Sequence, residues 1–213
     1  MDDERGAAAY ARADFSASNQ RFVDGLLRDC ARLPAAAIDL GCGPCDVVIR
    51  LARAAPDTRI TAVDGSAPMI ALAREAVAQA GLADRITLAQ ARLPGLPFEA
   101  GAFDAVLSKD LLHHLPDPQV LWSEVKRIGR PGAAVYVMDL IRPESAEAAR
   151  VLVGSVTGGE DPILQEDFYN SLLAAFTMRD VGEQLAAAGL DDLEVIPAGT
   201  DRHLLVRGVL PSS

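Results

Sequence analysis

The sequence of 213 residues is poor in cysteine, in aromatic side chains and in positive charge. Three cysteines are too few for a disulfide-stapled scaffold. Twenty Lys and Arg against 30 Asp and Glu give a net charge of −10, so the chain has no overall attraction to nucleic acid or to anionic membranes. We therefore expect neither a nucleic-acid partner nor a membrane partner.

Long hydrophobic runs are missing as well, and we expect no leader segment. The longest apolar stretch, near residues 133–141, contains Asp139 and is far too short to cross a bilayer. The first residues, MDDERGAAAYARAD, are acidic and lack the apolar centre of a signal peptide. Because 50% of the residues are hydrophobic, the chain has enough apolar material for a folded core. We expect a cytoplasmic protein, monomeric or homodimeric.

Short apolar runs alternate with amphipathic helical segments along the chain. They predict strands at 36–40, 59–64, 85–89, 103–108, 133–141, 193–197 and 203–209. This alternation predicts an α/β fold: a doubly wound, mainly parallel, seven-stranded Rossmann-like sheet with helices on both faces. The last two strands follow each other over a short connection, so at least one of them is expected to be antiparallel at the edge.

Residues 142–176 interrupt this rhythm. They contain a predicted loop at 154–162 and a helical stretch that includes Phe168. Because open α/β sheets bind ligands at the carboxyl ends of their strands, we interpret the segment as a lid-like insertion, with a plain connection as the alternative. With N-terminal cap helices over 1–33, it would belong to a single domain spanning 1–213.

A glycine-rich turn, AIDLGCGPCD, follows the first strand and opens a helix. Gly41 and Gly43 permit a sharp turn and a close approach of the backbone to a ligand. Asp46 occupies the last glycine position of the pattern G-x-G-x-x-G, and its carboxylate would repel a pyrophosphate at the helix N-terminus. The turn therefore suits a ligand without a phosphate, and Asp39 just before it suits a cationic group.

A second carboxylate ends the second strand. Asp64 is placed to accept both hydroxyls of a ribose, as an acidic residue at this position does in nucleotide-binding folds. An acidic first strand, a glycine turn and a ribose-binding carboxylate together indicate an adenosine ligand that carries a positive charge. S-adenosylmethionine (SAM) is such a ligand.

Four stretches of the chain resemble the successive motifs of class I SAM-dependent methyltransferases, especially the small-molecule, methyltransferase type 11-like branch with a histidine pair after the fourth strand. They are IDLGCGPC, AVDGSAPMIALA, LPFEAGAFDAVLSKDLLHHLPD and EVKRIGRPGAAVYVMD, within residues 36–141. The resemblance implies an enzyme that moves a methyl group from SAM to a small-molecule acceptor by SN2 displacement. S-adenosylhomocysteine (SAH) would be the product.

The resemblance also implies a set of cofactor-binding residues. They are Asp39, Gly41, Cys42 and Gly43 at the methionine part of SAM, Asp64 at the ribose, Gly65, Met69, Gln90 and Ala91 around the adenine, and Tyr10, Ser108, Lys109 and Asp110 beside the cofactor. Two positions depart from the family pattern. Cys45 replaces a glycine of the turn, and Gln90 replaces an acidic residue whose acceptor role its carbonyl can still fill.

Candidate catalytic and acceptor-binding residues lie outside the glycine turn. His113 could act as a general base that removes a proton from the acceptor, with local packing as the alternative. His114, Tyr169 and Asn170 are candidate acceptor contacts. Asp110 and His114 could meet on a helix, but no third ligand accompanies them, so no metal is expected.

The charge of the segment after the fifth strand indicates which kind of acceptor the protein takes, and three alternative functions remain. Between residues 144 and 190, eight acidic side chains stand against two arginines, which favours a neutral or cationic acceptor unless they form only a solvated face. An RNA or protein methyltransferase using the basic cluster around Arg127 remains an alternative. A SAM-binding protein with other chemistry is a second, and a dithiol oxidoreductase using Cys42 and Cys45 is a third.

Overall fold

The computed structural model describes residues 14–30, 35–157, 159, 161–199 and 202–212. In chain order its elements are α1 (Ser16–Asp29), β1 (Ala36–Leu40), α2 (Asp46–Ala54), β2 (Arg59–Asp64), α3 (Ala67–Gln79), β3 (Ile86–Gln90), β4 (Phe103–Lys109), a 3₁₀ turn (Leu112–His114), α4 (Gln119–Ile128), β5 (Gly129–Leu140), α5 (Ala146–Thr157), α6 (Pro162–Ala174), α7 (Met178–Ala188), β6 (Glu194–Pro197) and β7 (His203–Val209). No helix in these ranges is both long and apolar enough to cross a bilayer.

The seven strands form one sheet in the order β3-β2-β1-β4-β5-β7-β6. β1 to β5 pair in parallel, whereas β7 runs antiparallel to both of its neighbours, β5 and β6. The predicted doubly wound, mainly parallel sheet with antiparallel closing strands is confirmed. The order changes direction at β1, between β2 and β4, and this switch point is where open α/β sheets bind ligands.

Helices cover both faces of the sheet. On one face α1, α2 and α3 pack through a core that includes Phe22, Val48 and Ile70. On the other face α4 and α7 pack around Trp122, whose indole N–H donates to Gln184 Oε1 at 3.0 Å. Four of the five β1 residues are buried. This is the pattern of a parallel strand with helices on both sides, and it explains the nearly continuous apolar runs in the sequence.

Local sequence signals set the helix ends. The Ser66 hydroxyl accepts the N–H of Met69 at 3.4 Å where α3 begins. Thr177 and Asp180 form a reciprocal capping box at the start of α7, which ends at Gly189 with a φ of 65°. These ends follow local rules, because hydroxyl and carboxylate groups satisfy the free N–H groups of a first turn and glycine tolerates a positive φ.

The segment 142–176 folds into a pair of helices, α5 and α6. Its two ends meet where Ile141 pairs with Phe176 and the Arg142 N–H donates to the Phe176 carbonyl at 3.1 Å. The helices share a small core of their own, made of Leu140, Ala149, Val153, Leu172 and Ala175. The predicted loop at 154–162 was too long, since α5 continues to Thr157. We name this pair of helices the hairpin.

Candidate active site

A cavity of about 700 Å³ opens at the carboxyl ends of β1, β2 and β4. It occupies the switch point of the sheet, with α1 and the hairpin forming further walls. The predicted site residues that line it are Gly41, Gly43, Asp64, Gly65, Met69, Ala91, Lys109, Asp110, His113 and His114. The fold thus gathers into one space residues that lie on several different strands, turns and helices.

Other predicted residues are described but do not line the cavity: Asp39, Cys42, Gln90, Ser108, Tyr169 and Asn170. Asp39 and Cys42 are buried, whereas Gln90 is exposed at the end of β3. The Ser108 hydroxyl donates to the carbonyl of Leu40 at 2.8 Å and so connects β4 with β1. Tyr10 lies outside the described residues.

The glycine turn is shaped by residues with left-handed backbone conformations and by the carboxylate of Asp64. Gly41, Gly43 and Cys45 have φ angles of 78°, 51° and 68°. Cys45 therefore takes the backbone path of the glycine it replaces, although a residue with a Cβ rarely does so. Asp64 Oδ2 accepts the N–H of Gly43 at 2.9 Å, and its Oδ1 accepts the N–H of Ser66 at 2.8 Å. The predicted ribose ligand is thus also the residue that holds the turn in place.

Asp39 is a buried carboxyl close to this turn. It is 3% exposed, and its Oδ1 has no hydrogen-bond partner among the described residues. Burial raises its pKa to about 8; the charge of Asp64 adds to the rise and Lys109 opposes it. Because an unpartnered buried carboxyl is unfavourable, a cationic group nearby would stabilise it. This site chemistry fits the amino group of SAM.

His113 is held by a carboxylate that the sequence analysis did not single out. Its Nδ1 lies 2.7 Å from Asp139 Oδ1. The same carboxylate accepts the N–H groups of Leu112 and Leu140 at 2.7 and 2.8 Å, which fixes its position. Burial alone would lower the pKa of His113, but Asp139 outweighs burial and raises this pKa. The pair is suited to take a proton from a ligand in the cavity.

His114 offers different chemistry from its neighbour. Its ring centroid lies 4.0 Å from that of His113. Desolvation and the proximity of His113 lower the pKa of His114 to about 4. A neutral imidazole donates through one nitrogen and accepts through the other. His114 is therefore a hydrogen-bonding group for a ligand, whereas His113 is the stronger base.

A third histidine reaches the cavity from the far end of the chain. His203, at the start of β7, places Nε2 3.5 Å from Asp110 Oδ1, and Lys109 forms an ion pair with the other oxygen. Burial would raise the pKa of Asp110, but Lys109 and His203 outweigh it and lower this pKa. Arg92 also lines the cavity and was not predicted. In the described part of the chain, no group of three or more side chains is arranged to hold a metal.

Asp46 connects α1 to the glycine-turn helix. Its Oδ2 accepts from Asn19 Nδ2 at 2.9 Å and from Arg50 Nε at 2.8 Å. Ser18 and Arg21, beside Asn19 on α1, line the cavity. The carboxylate that we expected to repel a phosphate is thus engaged in fastening α1, which forms one wall of the site.

One face of α6 lines the cavity. The residues on this face, spaced at helical intervals, are Leu164, Asp167, Phe168 and Ser171. Tyr169 instead lies under the guanidinium of Arg150, 5.2 Å from its ring centroid, and Asn170 is exposed. Both predicted residues thus lie on the helix that lines the cavity but not on its cavity face, because residue type alone does not tell which way a helix is turned.

The thiols of the CGPC turn do not have the setting of a reactive dithiol. Cys42 and Cys45 are both buried and both free. The contact with Cys45 and burial raise the pKa of Cys42. Catalytic thiols need a lowered pKa and partial exposure, so the oxidoreductase interpretation is not supported by this geometry.

The central part of the chain is similar to known proteins. Residues 38–137 match the family model described as a methyltransferase domain. Demethylmenaquinone methyltransferase of Lactiplantibacillus plantarum is 36% identical over 109 residues, covering 50% of this chain and 46% of that protein. The 27-O-demethylrifamycin SV methyltransferase of Amycolatopsis mediterranei is 29% identical over 139 residues, covering 64% and 51% of the two chains.

The solved structures extend the likeness to nearly the whole chain. A SAM-dependent methyltransferase from Aquifex aeolicus has a TM-score of 0.71 at 17% identity, covering 96% of this chain and 98% of that one. Such a likeness shows the fold, whereas the chain spans about half the length of the curated relatives it matches. Residues 38–137 are therefore similar to a methyltransferase domain, and the chain has the fold of this solved methyltransferase.

Proposed function

We propose that the protein transfers the methyl group of SAM to a small-molecule acceptor. The observation that carries the proposal is a single cavity of about 700 Å³ with the Asp64-held glycine turn at one end and the His113–Asp139 pair at the other. Ligand pockets span about 300–1,000 Å³, so there is room for a donor and an acceptor side by side.

The donor would occupy the end formed by β1 and β2. Gly41 and Gly43 would lie along the methionine part, and Asp64 would accept from the ribose while it holds the turn. Asp39 would supply the charge opposite the amino group, and Met69 would border the adenine. When bound, SAM supplies a methyl group activated by a positively charged sulfur. The protein mainly has to align it with the acceptor and exclude water.

The acceptor would lie against the β4 and β5 ends, under α1 and the hairpin. His113 would take its proton, and His114 would hydrogen-bond to it. Two relatives are named for demethylmenaquinone and 27-O-demethylrifamycin SV, which supports a small-molecule acceptor here. The hairpin, on this proposal, acts as a lid and completes the single domain.

The acceptor is proposed to be uncharged rather than cationic. Part of the acidic count that favoured a neutral or cationic acceptor is taken up by surface ion pairs: Asp180 pairs with Arg142, and Glu183 pairs with Arg179. Of the acidic side chains described between residues 144 and 190, Asp167 lines the cavity. Net charge of the segment is therefore a poor guide to the acceptor.

Titration calorimetry of the reduced protein with SAM and with SAH tests the proposal. We expect both to bind with dissociation constants of about a micromolar, and Asp64→Asn to weaken binding at least about tenfold, since a hydrogen bond to a charged group contributes about 1.5–3 kcal/mol. Asp191→Asn, an exposed carboxylate, is the matched control and should bind as the wild type does. No heat with either ligand would overturn the proposal.

Labelled SAM then separates the acceptor classes. Incubation with metabolite, protein and RNA fractions should place the methyl label in the metabolite fraction. Label confined to protein or RNA would replace the small-molecule acceptor with a macromolecule while leaving the donor site intact.

A further inference from the structure

We infer that the acceptor is a flat, largely apolar ring with a hydroxyl group, bound between the 3₁₀ turn and α6. The inference rests on the proposed function, because it assigns the half of the cavity that the donor residues leave. We name this half the acceptor chamber and define it by His113, His114, Leu140, Leu164 and Phe168, all of which line the cavity.

Strand order separates the acceptor chamber from the donor end. Gly41 and Asp64 follow or end β1 and β2, whereas Leu140 ends β5. In the sheet β2 and β5 are separated by β1 and β4. Neighbouring strands lie about 4.8 Å apart, so these two ends are about 14 Å from each other. A donor held by Gly41 and Asp64 therefore leaves the β5 end for a second molecule.

The walls of the acceptor chamber are apolar and well supported. Leu164 and Phe168 lie one turn apart on α6, and Val156 of α5 lines the cavity beside them. Leu140 belongs to the small hairpin core, and Phe168 packs against that core. The aromatic side chain is thus held by packing on one side while it lines the cavity. Apolar walls with an aromatic side chain bind flat apolar rings by area and by ring contacts.

Charged side chains also line the cavity at this end, among them the half-buried Arg202. Lys109 pairs with Asp110, which His203 also approaches. Asp167 on α6 is exposed. The five residues that define the acceptor chamber include no Asp, Glu, Lys or Arg. Since burial of an unpaired charge is costly, the acceptor chamber favours an uncharged molecule.

His113, as the general base of the acceptor chamber, favours an acceptor with a hydroxyl group over one with an amine. Asp139 occupies Nδ1 of His113, which leaves Nε2 to receive a proton. As the acceptor oxygen forms its bond to the methyl carbon, the oxygen's proton passes to Nε2, and the breaking carbon–sulfur bond leaves its electron pair on sulfur. A neutral amine or a thiolate attacks without such a base, whereas a hydroxyl needs one.

Fluorescence titration of the SAH-saturated protein with 2-naphthol tests this inference. We expect saturable binding that weakens at least about fivefold in Phe168→Ala and less in Phe168→Leu, because leucine keeps part of the apolar area. Glu166→Ala, an exposed residue of the same helix, is the matched control and should bind as the wild type does. Circular dichroism of each variant separates lost binding from lost folding.

Naphthalene, which lacks the hydroxyl group of 2-naphthol, tests the proposed hydrogen bond between the acceptor hydroxyl and His113. We expect it to bind at least about threefold more weakly than 2-naphthol and the difference to disappear in His113→Ala, as expected for one neutral hydrogen bond. The inference is overturned if SAH binds but 2-naphthol does not saturate, if Phe168→Ala binds as well as Glu166→Ala, or if naphthalene matches 2-naphthol. Failure of SAH itself to bind would instead overturn the proposed function.

Discussion

Burial raises the pKa of the Asp39 carboxyl from its ordinary 3.8 to about 8. The folded state then binds this proton more tightly than the unfolded chain does. The stability that the group contributes is present at low pH and is lost as the pH rises from about 4 through 8. We expect Asp39→Asn to stabilise the unliganded protein by about 1–3 kcal/mol at pH 9, and by less at pH 5, in urea unfolding.

Asp39→Asn should also weaken SAM binding at least about tenfold, because the neutral amide cannot compensate the positive charge of a cationic group. As the pH rises toward about 8, ionisation of Asp39 should strengthen SAM binding in the wild type but not in the variant, until the amino group of SAM itself loses its proton. Calorimetry at several pH values measures both. A variant that is less stable at pH 9 and binds SAM normally would show that Asp39 is a structural residue.

His113 should control the rate rather than donor binding. Asp139 raises the pKa of His113 against the effect of burial, Asp110 adds to the rise and Lys109 opposes it. The methylation rate should therefore fall at acid pH with a midpoint above the ordinary histidine value, since only the neutral ring accepts a proton. We expect His113→Gln to lower kcat about a hundredfold. Unchanged kcat would remove the base from the mechanism.

The control for this prediction is donor affinity. His113→Gln should bind SAH within about twofold of the wild type, because less than 0.5 kcal/mol separates such values. Asp139→Asn should move the acid midpoint of the rate profile downward, which a merely structural role of Asp139 would not do.

At the scale of elements, the backbone of the glycine turn predicts how a substitution of Gly41 affects stability and SAM binding. Gly41 has a φ of 78°, and a Cβ added there would lie 3.0 Å from the Cβ of Leu111. We expect Gly41→Ala to destabilise the protein by about 1–2 kcal/mol through its left-handed backbone and to weaken SAM binding at least about tenfold. Thermal unfolding and calorimetry measure the two effects.

Gly81 provides the matched control for the turn. It has a φ of 68°, and nothing lies within 4 Å of a Cβ added there. Gly81→Ala should therefore have a similar backbone cost but leave SAM binding unchanged. Equal loss of binding in both variants would mean that global destabilisation, and not the shape of the turn, is responsible.

In the hairpin, the sequence did not predict where α5 ends or which face of α6 lines the cavity. Glycine-rich sequence predicted a loop from residue 154, but α5 continues to Thr157, whose hydroxyl donates to the Val153 carbonyl at 2.9 Å. The cavity face of α6 runs through Leu164 and Phe168 rather than Tyr169. Periodicity identifies a helix, yet its rotation depends on the core it shares with α5.

For the whole molecule, donor binding should raise thermal stability. A ligand that binds only the folded state at a hundred times its dissociation constant adds about 2.7 kcal/mol. For a domain of about 200 residues this corresponds to a rise of about 5–10 °C in Tm. We expect SAH to produce this shift in the wild type and in Asp191→Asn, and a shift of about half that size or less in Asp64→Asn, by differential scanning calorimetry. A wild-type Tm unaffected by SAH would contradict the donor assignment.

The sequence by itself determined most of the elements of this protein and the residues of the proposed donor end of its site. Alternating apolar runs, the capping box at Thr177 and the turn at Gly41 obey local rules that hold wherever the chain goes. Asp64 could be predicted because the end of the second strand is a fixed place in this fold. Tertiary structure decided the rest. Asp139 meets His113 because β4 and β5 pair in register, Lys109 opposite Met138. His203 reaches Asp110 because β7 inserts beside β5, and burial sets the proton affinity of Asp39. Strand order and burial are properties of long-range packing, which local sequence patterns do not encode.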